Sequence, residues 1–394
     1  MKVVALHTDF RLYWPARLKK LYADLLQQGN ELIVIEIAGR GSPYFFAEKE
    51  ENRTLFWRCL FPEERMEDIN PKTAKEKILK ELDQIMPDAV LSGAIAFPSG
   101  ASAVDWAKRN NKAVVIFDDS KLEDVPRNFM VNKIKKTIYS NVDAVLCPAK
   151  DWLPTLRYWE FKKEAVFFGE NVVNNQFWSK KTNYIQTLPE HYFLTVGRQI
   201  ERKNFIGLLN AFYSLHAYNP ESKYELVLIG NGPERETLEN SVPDKMKNKV
   251  HFLDFKSQDE LREIYQRATF FILPSIAEQW GLVINEAMAV GLPVIVSKQC
   301  GCASSLVKDH QNGFIFDTNN IAELNDVLQN ADRLNADQLK KMSNISLDII
   351  QQWDLDRFSS GAREAIQYGI NNKKRSSFLS KILLSKWNGR YNQG

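Results

Sequence analysis

Two glutamates eight positions apart, Glu278 and Glu286, bracket Gly281-Leu282-Val283 within the segment Leu273–Pro293. The segment reads as a strand, a loop and a helix that Gly291 and Pro293 bring to an end. Glu278 then falls in the loop, and Glu286 about one turn into the helix on the side of Leu282. A helix start leaves the amides near Gly281, Leu282 and Val283 without intrahelical acceptors, which suits an anionic phosphate. Two carboxylates beside an anion site call for a ligand that also offers hydroxyls, and a sugar nucleotide does. Each glutamate taken alone also fits a solvated charge at a helix start.

Upstream, Val196–Asn204 sets Arg198 and Lys203 between a strand end and a helix that Asn204 caps, so that two cations can neutralise charge on a leaving group. Gly230-Asn231-Gly232-Pro233 follows the strand Glu225–Ile229. It could open a dinucleotide fingerprint, but Arg235 stands at the third glycine position and no NAD-type unit follows, which argues against a dehydrogenase. In the first half, Phe117-Asp118-Asp119-Ser120 places paired acids after a strand. A carboxylate there can accept a hydrogen bond or a proton, and the same residues also read as a plain turn. Cys300-Gly301-Cys302 has no second cysteine pair, so small residues in a tight turn are a better reading than zinc.

The elements that must position these residues alternate strand and helix throughout, the pattern of parallel sheets covered on both faces. Strands are expected at Val3–Leu6, Leu32–Ile37, Ala89–Leu91, Ala113–Phe117, Ala144–Leu146 and Ala165–Phe168, with helices at Trp14–Gln28 and Ala101–Arg109. After a polar stretch at Ser179–Asn183 the pattern restarts with Tyr192–Val196, Glu225–Ile229, Val250–Leu253, Phe270–Leu273, Val294–Val296 and Phe314–Phe316. The fold class is therefore α/β, with two Rossmann-like doubly wound domains, 1–178 and 190–350, facing each other across a cleft. Residues 351–370 form a further helix and 371–394 a tail. Ligands of such folds bind beyond the carboxyl ends of the strands.

Composition narrows the function classes. With 394 residues, 44% hydrophobic and 11% aromatic, the chain can build two cores and is not disordered. No apolar run reaches the ~18 residues of a spanning helix, and the N-terminus turns polar too soon for a secretory signal. Four cysteines do not make a disulfide framework, which suits a reduced, cytoplasmic protein. The net charge of +3 rests on residues 371–394, which carry six basic and no acidic side chains, so a nucleic-acid binder is disfavoured.

The Glu278–Glu286 segment closely resembles the E-x7-E signature of retaining GT-B glycosyltransferases, family 4 (group 1), and the Arg198–Lys203 and Gly230–Pro233 loops resemble their counterparts there. The resemblance is specific over about 192–317 and looser before it. It implies a GT-B transferase moving a sugar from a nucleotide diphosphate, UDP favoured, to a glycan or lipid-linked acceptor in bacterial surface polysaccharide synthesis, lipopolysaccharide included. The resemblance assigns catalysis to Arg198, Lys203 and Glu278, and Asp119 joins them as a carboxylate able to orient the acceptor hydroxyl or take its proton. Nucleotide-sugar binding falls to Gly197, Gly230, Asn231, Trp280, Gly281, Leu282, Val283 and Glu286, while Asp9 and Arg11, in a loop that departs from the family, are expected to bind the acceptor. No metal or other cofactor is implied, since cations and helix amides hold the leaving diphosphate in such enzymes. The chain departs from the family at His7-Thr8-Asp9-Phe10-Arg11, where relatives are glycine-rich, at Asp118-Asp119, where many carry histidine, and at Asn171, which stands for the aspartate of Gly-x-Asp. A non-catalytic sugar-nucleotide-binding subunit and an epimerase of the same fold are the rival readings. In the tail, apolar residues 378, 379, 382, 383 and 387 share a helical face amid lysines, as in a helix lying on an anionic membrane at the inner face of the plasma membrane; a surface helix packed on its own protein is the alternative.

Overall fold

Runs such as Val3–Leu6 and Ala113–Phe117 carry no polar alternation, so the strands they form must be covered on both faces. The computed structural model describes residues 1–40, 56–124, 127–182 and 188–390; Asn183 of the polar stretch and 391–394 of the tail lie outside the described residues. The chain divides into two units, Met1–Val172 with Leu355–Gly394, and Val173–Asp354.

The first unit begins β1 (Lys2–His7), α1 (Trp14–Gln27), β2 (Glu31–Arg40), β3 (Trp57–Arg65), α2 (Pro71–Ile85), β4 (Ala89–Ser92) and α3 (Pro98–Arg109). It continues with β5 (Ala113–Phe117), α4 (Phe129–Tyr139), β6 (Ala144–Cys147), α5 (Leu153–Tyr158) and β7 (Val166–Phe168). The sheet order is β3-β2-β1-β4-β5-β6-β7, with every pairing parallel. The edge strand β3 was not among the expected strands. Its sequence WRCLFPEER carries a proline and a charged run, which an edge position tolerates because one side of the strand has no ladder to complete. Gly39 of β2 lets β3 approach, since a Cβ there would lie 1.9 Å from the Pro62 carbonyl oxygen.

The second unit holds α6 (Asn175–Ser179), β8 (Tyr192–Val196), α7 (Phe205–Tyr218), β9 (Glu225–Ile229), α8 (Arg235–Asn240), β10 (Val250–Leu253) and α9 (Gln258–Arg267). There follow β11 (Phe270–Leu273), α10 (Leu282–Ala289), β12 (Val294–Ser297), α11 (Ala303–Leu306), β13 (Gly313–Phe316), α12 (Ile321–Asp332) and α13 (Ala336–Ile350). Its sheet, β10-β9-β8-β11-β12-β13, is again parallel. Residues Val173–Trp178 belong to this unit although the sequence pattern places the boundary at 178. The reason is packing: α6 rests on α10, and Trp178 meets Tyr265 edge to face at 5.5 Å.

Two helices complete the first unit. Along α14 (Leu355–Asn371), Phe358, Ala362, Ala365 and Ile366 join the first core, and a Cβ on Gly361 would lie 2.1 Å from the Phe168 carbonyl oxygen. Behind it, α15 (Phe378–Lys386) lies on α3 and α4. In each sheet the order reverses beside the first strand, between β1 and β4 and between β8 and β11. The loops after these four strands flank the points where open α/β sheets bind ligands.

Candidate functional site

In the second unit the loop after β8 turns through Glu201–Lys203 into α7 and is stitched to the loop after β11. The Ile276 amide donates to the Arg202 carbonyl (2.9 Å), and Asn204 Nδ2 donates to the Pro274 carbonyl (3.2 Å). Asn204 thus holds the N-cap position of α7 without capping it through its side chain. Its backbone is left-handed (φ 55°), and its amide serves the neighbouring loop instead. With the two loops joined, Lys203 Nζ makes an ion pair with Glu278. Arg198 projects from the same loop with an exposed side chain.

Glu278 is held from behind by Cys300-Gly301-Cys302. The Gly301 amide donates to the Glu278 carbonyl (2.9 Å), and the Cys302 amide to that of Trp280 (3.0 Å). Both thiols are buried, and burial pushes Cys300 up to about 12, so they serve packing rather than nucleophilic chemistry. Gly281 follows as the N-cap of α10 at φ 99°, a conformation that favours glycine. The amides of Leu282 and Val283 stand in the first turn, where a helix has no acceptor of its own for them.

Glu286 is buried one turn further on, and its Oε2 accepts a hydrogen bond from Tyr265 Oη at 2.9 Å. Tyr265 is fixed in turn by Trp178 and Phe271. The sequence shows Tyr265 only as one more apolar position of a helix. On the β9 side, Gly230 has φ 128°, and a Cβ there would lie 2.1 Å from the Gly197 carbonyl oxygen. Gln199, buried and not singled out in the sequence, fastens this turn: its amide donates to the Asn231 carbonyl and its Nε2 to that of Gly230, both at 3.0 Å. Asn231 Nδ2 donates to Asp254 (3.1 Å).

One expected ligand is corrected. Trp280 is only 2% exposed, its Nε1 donates to Asn285 (2.8 Å) and its ring lies 5.1 Å from that of Trp353. The indole is used within the core of this unit and is not presented to a nucleotide.

At the corresponding edge of the first sheet the chemistry is acidic. Asp118 accepts from Tyr139 Oη and from the Ser120 amide (3.0 Å). Asp119 accepts from Asn171 Nδ2 (3.2 Å), while its carbonyl accepts from Trp152 Nε1 (2.9 Å). Burial, reinforced by the Asp118 charge, pushes the Asp119 carboxyl up to about 6. Glu170 is buried beside them, and its carboxyl is held well above the ordinary range by burial and then by Asp119 and Asp118. Arg17, another residue the sequence did not single out, turns into this region and donates twice to the Val172 carbonyl (3.0 and 2.7 Å). His7 ends β1, and burial lowers it to about 4, so it is neutral at pH 7. Asp9 and Arg11, expected to face an acceptor, pair with each other at 3.4 Å, and Arg11 donates to the Gly39 carbonyl (2.9 Å). Arg11 is 8% exposed, so its charge is answered inside the fold.

Residues 178–345 match the family described as glycosyl transferases group 1. The match lies within the second unit, Val173–Asp354. The chain's similarity to an uncharacterized glycosyltransferase of Haemophilus influenzae is 27% identity over 84% of this chain and 91% of that one. The O-antigen chain mannosyltransferase RfbU of Salmonella typhimurium is 34% identical over 30% of this chain and 33% of its own length. Among solved structures, the UDP complex of Anabaena Alr3699/HepE has a TM-score of 0.73 at 16% identity, covering 93% of this chain and all of that one. The fold of this chain is thus the GT-B fold, with two Rossmann-like parallel-sheet domains. Among its described residues no helix is long and apolar enough to cross a membrane.

Proposed function

We propose that this chain is a retaining transferase of the E-x7-E type, family 4, that moves a hexosyl group from a nucleotide-diphosphate sugar to a hydroxyl of a glycan or lipid-linked acceptor. The observation that carries the reading is the Lys203–Glu278 ion pair, set where strand order reverses and followed at once by the open first turn of α10. The diphosphate lies on the Leu282 and Val283 amides with Arg198 and Lys203 beside it, and Glu286 takes the ribose hydroxyls. Glu278 binds the donor sugar. As the bond from the anomeric carbon to the phosphate oxygen breaks, the cations and amides hold the departing negative charge. The acceptor oxygen bonds to the anomeric carbon on the same face, and its proton passes to the departing phosphate oxygen. Asp119, on the first unit, orients the acceptor hydroxyl. The chain's own cations perform the task a divalent metal would otherwise have, so turnover survives EDTA.

A UDP-sugar is the favoured donor, and similarity to structures holding UDP and UDP-glucose supports it. A place in surface polysaccharide synthesis is supported by relatives that include O-antigen chain mannosyltransferases. Similarity to the alpha-monoglucosyldiacylglycerol synthase of Acholeplasma laidlawii supports a lipid acceptor. The test is incubation with UDP-, GDP- and ADP-sugars in EDTA while nucleotide release is followed, with and without glycan and lipid acceptors. Release from one donor, lost in Lys203→Ala, supports the reading. Binding without release under any condition would favour a non-catalytic sugar-nucleotide-binding subunit.

A further inference from the structure

Helix α15 is fastened to the first unit by its ends. Before it, the Lys374 amide donates to Asp143 (2.7 Å), and Ser377 caps the first turn through the Ser380 amide (3.1 Å). At its far end buried Lys75 donates to the carbonyls of Leu384 (2.7 Å), Ser385 (3.3 Å) and Trp387 (2.8 Å). Trp387 Nε1 then donates to the Ile95 carbonyl (2.8 Å), and the Arg390 amide to that of Ala96 (2.7 Å). The apolar face read from the sequence is therefore split: Trp387 turns toward the protein, as does Leu384 beside that face, while Phe378, Leu379 and Ile382 turn out.

A helix that merely packed on its own protein would bury its largest apolar side chains. Here Phe378 and Leu379 are 77% and 76% exposed, and on the adjacent α4 Phe129 and Met130 are 80% and 72% exposed. These two helices supply six of the twelve large apolar side chains that are exposed among the described residues, too many for scattered surface apolarity. The charge that these two segments themselves carry has one sign. No acidic residue occurs in 125–142 or 371–394, and Lys133, Lys373, Arg375, Lys381 and Lys386 are exposed. Lys135 is not counted with these, being turned over the Tyr139 and Trp159 rings, nor is Lys136, which pairs with Glu160.

We propose that α4 and α15 form one preassembled surface that docks the first unit on an anionic lipid bilayer. Phe129, Met130, Phe378 and Leu379 enter the acyl boundary while the surrounding lysines and Arg375 meet the headgroups. Apolar side chains amid cations of one sign complement a bilayer of negative charge. Because the helix is already folded and clamped, little ordering cost opposes docking. The proposal stands apart from the donor chemistry of the second unit.

Sedimentation of the full chain with phosphatidylcholine vesicles, with and without phosphatidylglycerol, tests it. Strong association with the anionic vesicles alone, weakening with salt, is expected. Phe378→Ser/Leu379→Ser and Phe129→Ser/Met130→Ser should each weaken it about tenfold or more, with unchanged thermal melting. No preference for the anionic vesicles, or association indifferent to both pairs of substitutions, overturns the proposal. So does a concentration-dependent dimer that Phe378→Ser/Leu379→Ser dissolves while vesicles bind nothing, since the occupant is then a second copy of the chain.

Discussion

At the carboxyl edge of the second sheet, next to the strand-order reversal, stand Arg198 and Lys203, Glu278 paired with the lysine, and an open helix start. At the equivalent edge of the first sheet stand Asp118, Asp119 and Glu170, with a neutral histidine where β1 ends. The two sheets share parallel strands and the same order about their first strand. Strand order fixes where a ligand can sit, and the loop residues decide which ligand that is. One edge is built to accept negative charge, the other to accept hydrogen bonds from hydroxyls.

Breaking the cationic edge should have the largest effect. Lys203→Ala removes a charge from the leaving group and also strands Glu278, so turnover of the nucleotide sugar should fall about 100-fold or more in steady-state assays. Glu278→Gln keeps the shape but removes the partner of Lys203, and a loss of about 1.5–3 kcal/mol, or 10- to 100-fold in kcat/KM, is expected. Tyr265→Phe sharpens the comparison from behind, since it deletes the hydroxyl that holds Glu286. The expected loss is about 1 kcal/mol, seen as roughly fivefold in donor KM with kcat unchanged.

On the acidic edge the sign of the pH effect is decisive. The folded Asp119 carboxyl lies near 6, above its ordinary 3.8, so the folded state holds that proton more tightly. The corresponding stability is full below pH 3.8 and is lost as pH rises through 6. Asp119→Asn should therefore raise Tm at pH 8 by roughly 2–4 °C and leave it unchanged near pH 3.8. Acceptor-dependent turnover of the native chain should fall as pH drops through 6, a fall that this variant should lack. The smallest effect belongs to Trp280→Phe, which should cost about 1 kcal/mol of stability with the lost Asn285 hydrogen bond and leave donor KM alone.

The apolar strands and the loop after β11 were legible in the sequence because burial on both faces leaves uninterrupted runs, and because glycine is needed at Gly281. The strand β3 was hidden by Pro62 and the charges beside it, which only an edge position tolerates. Trp280 shows why a signature does not assign every side chain within it: which way the indole turns depends on Asn285 and on the distant Trp353. Tyr265, Gln199 and Glu170 were missed for the same reason, since each acts through a partner at least 21 positions away that no local pattern announces. The inward turn of Arg11 depends on Gly39 of the neighbouring strand, which is likewise invisible to spacing.

The central claim is that the edge carrying Lys203 and the start of α10 holds a nucleoside diphosphate. Calorimetric titration of UDP, GDP and ADP in EDTA into the native chain and Lys203→Ala tests it most directly. One nucleotide should bind the native chain, with affinity reduced about tenfold or more in the variant. Failure of all three to bind, or binding that Lys203→Ala leaves unchanged, would contradict the account.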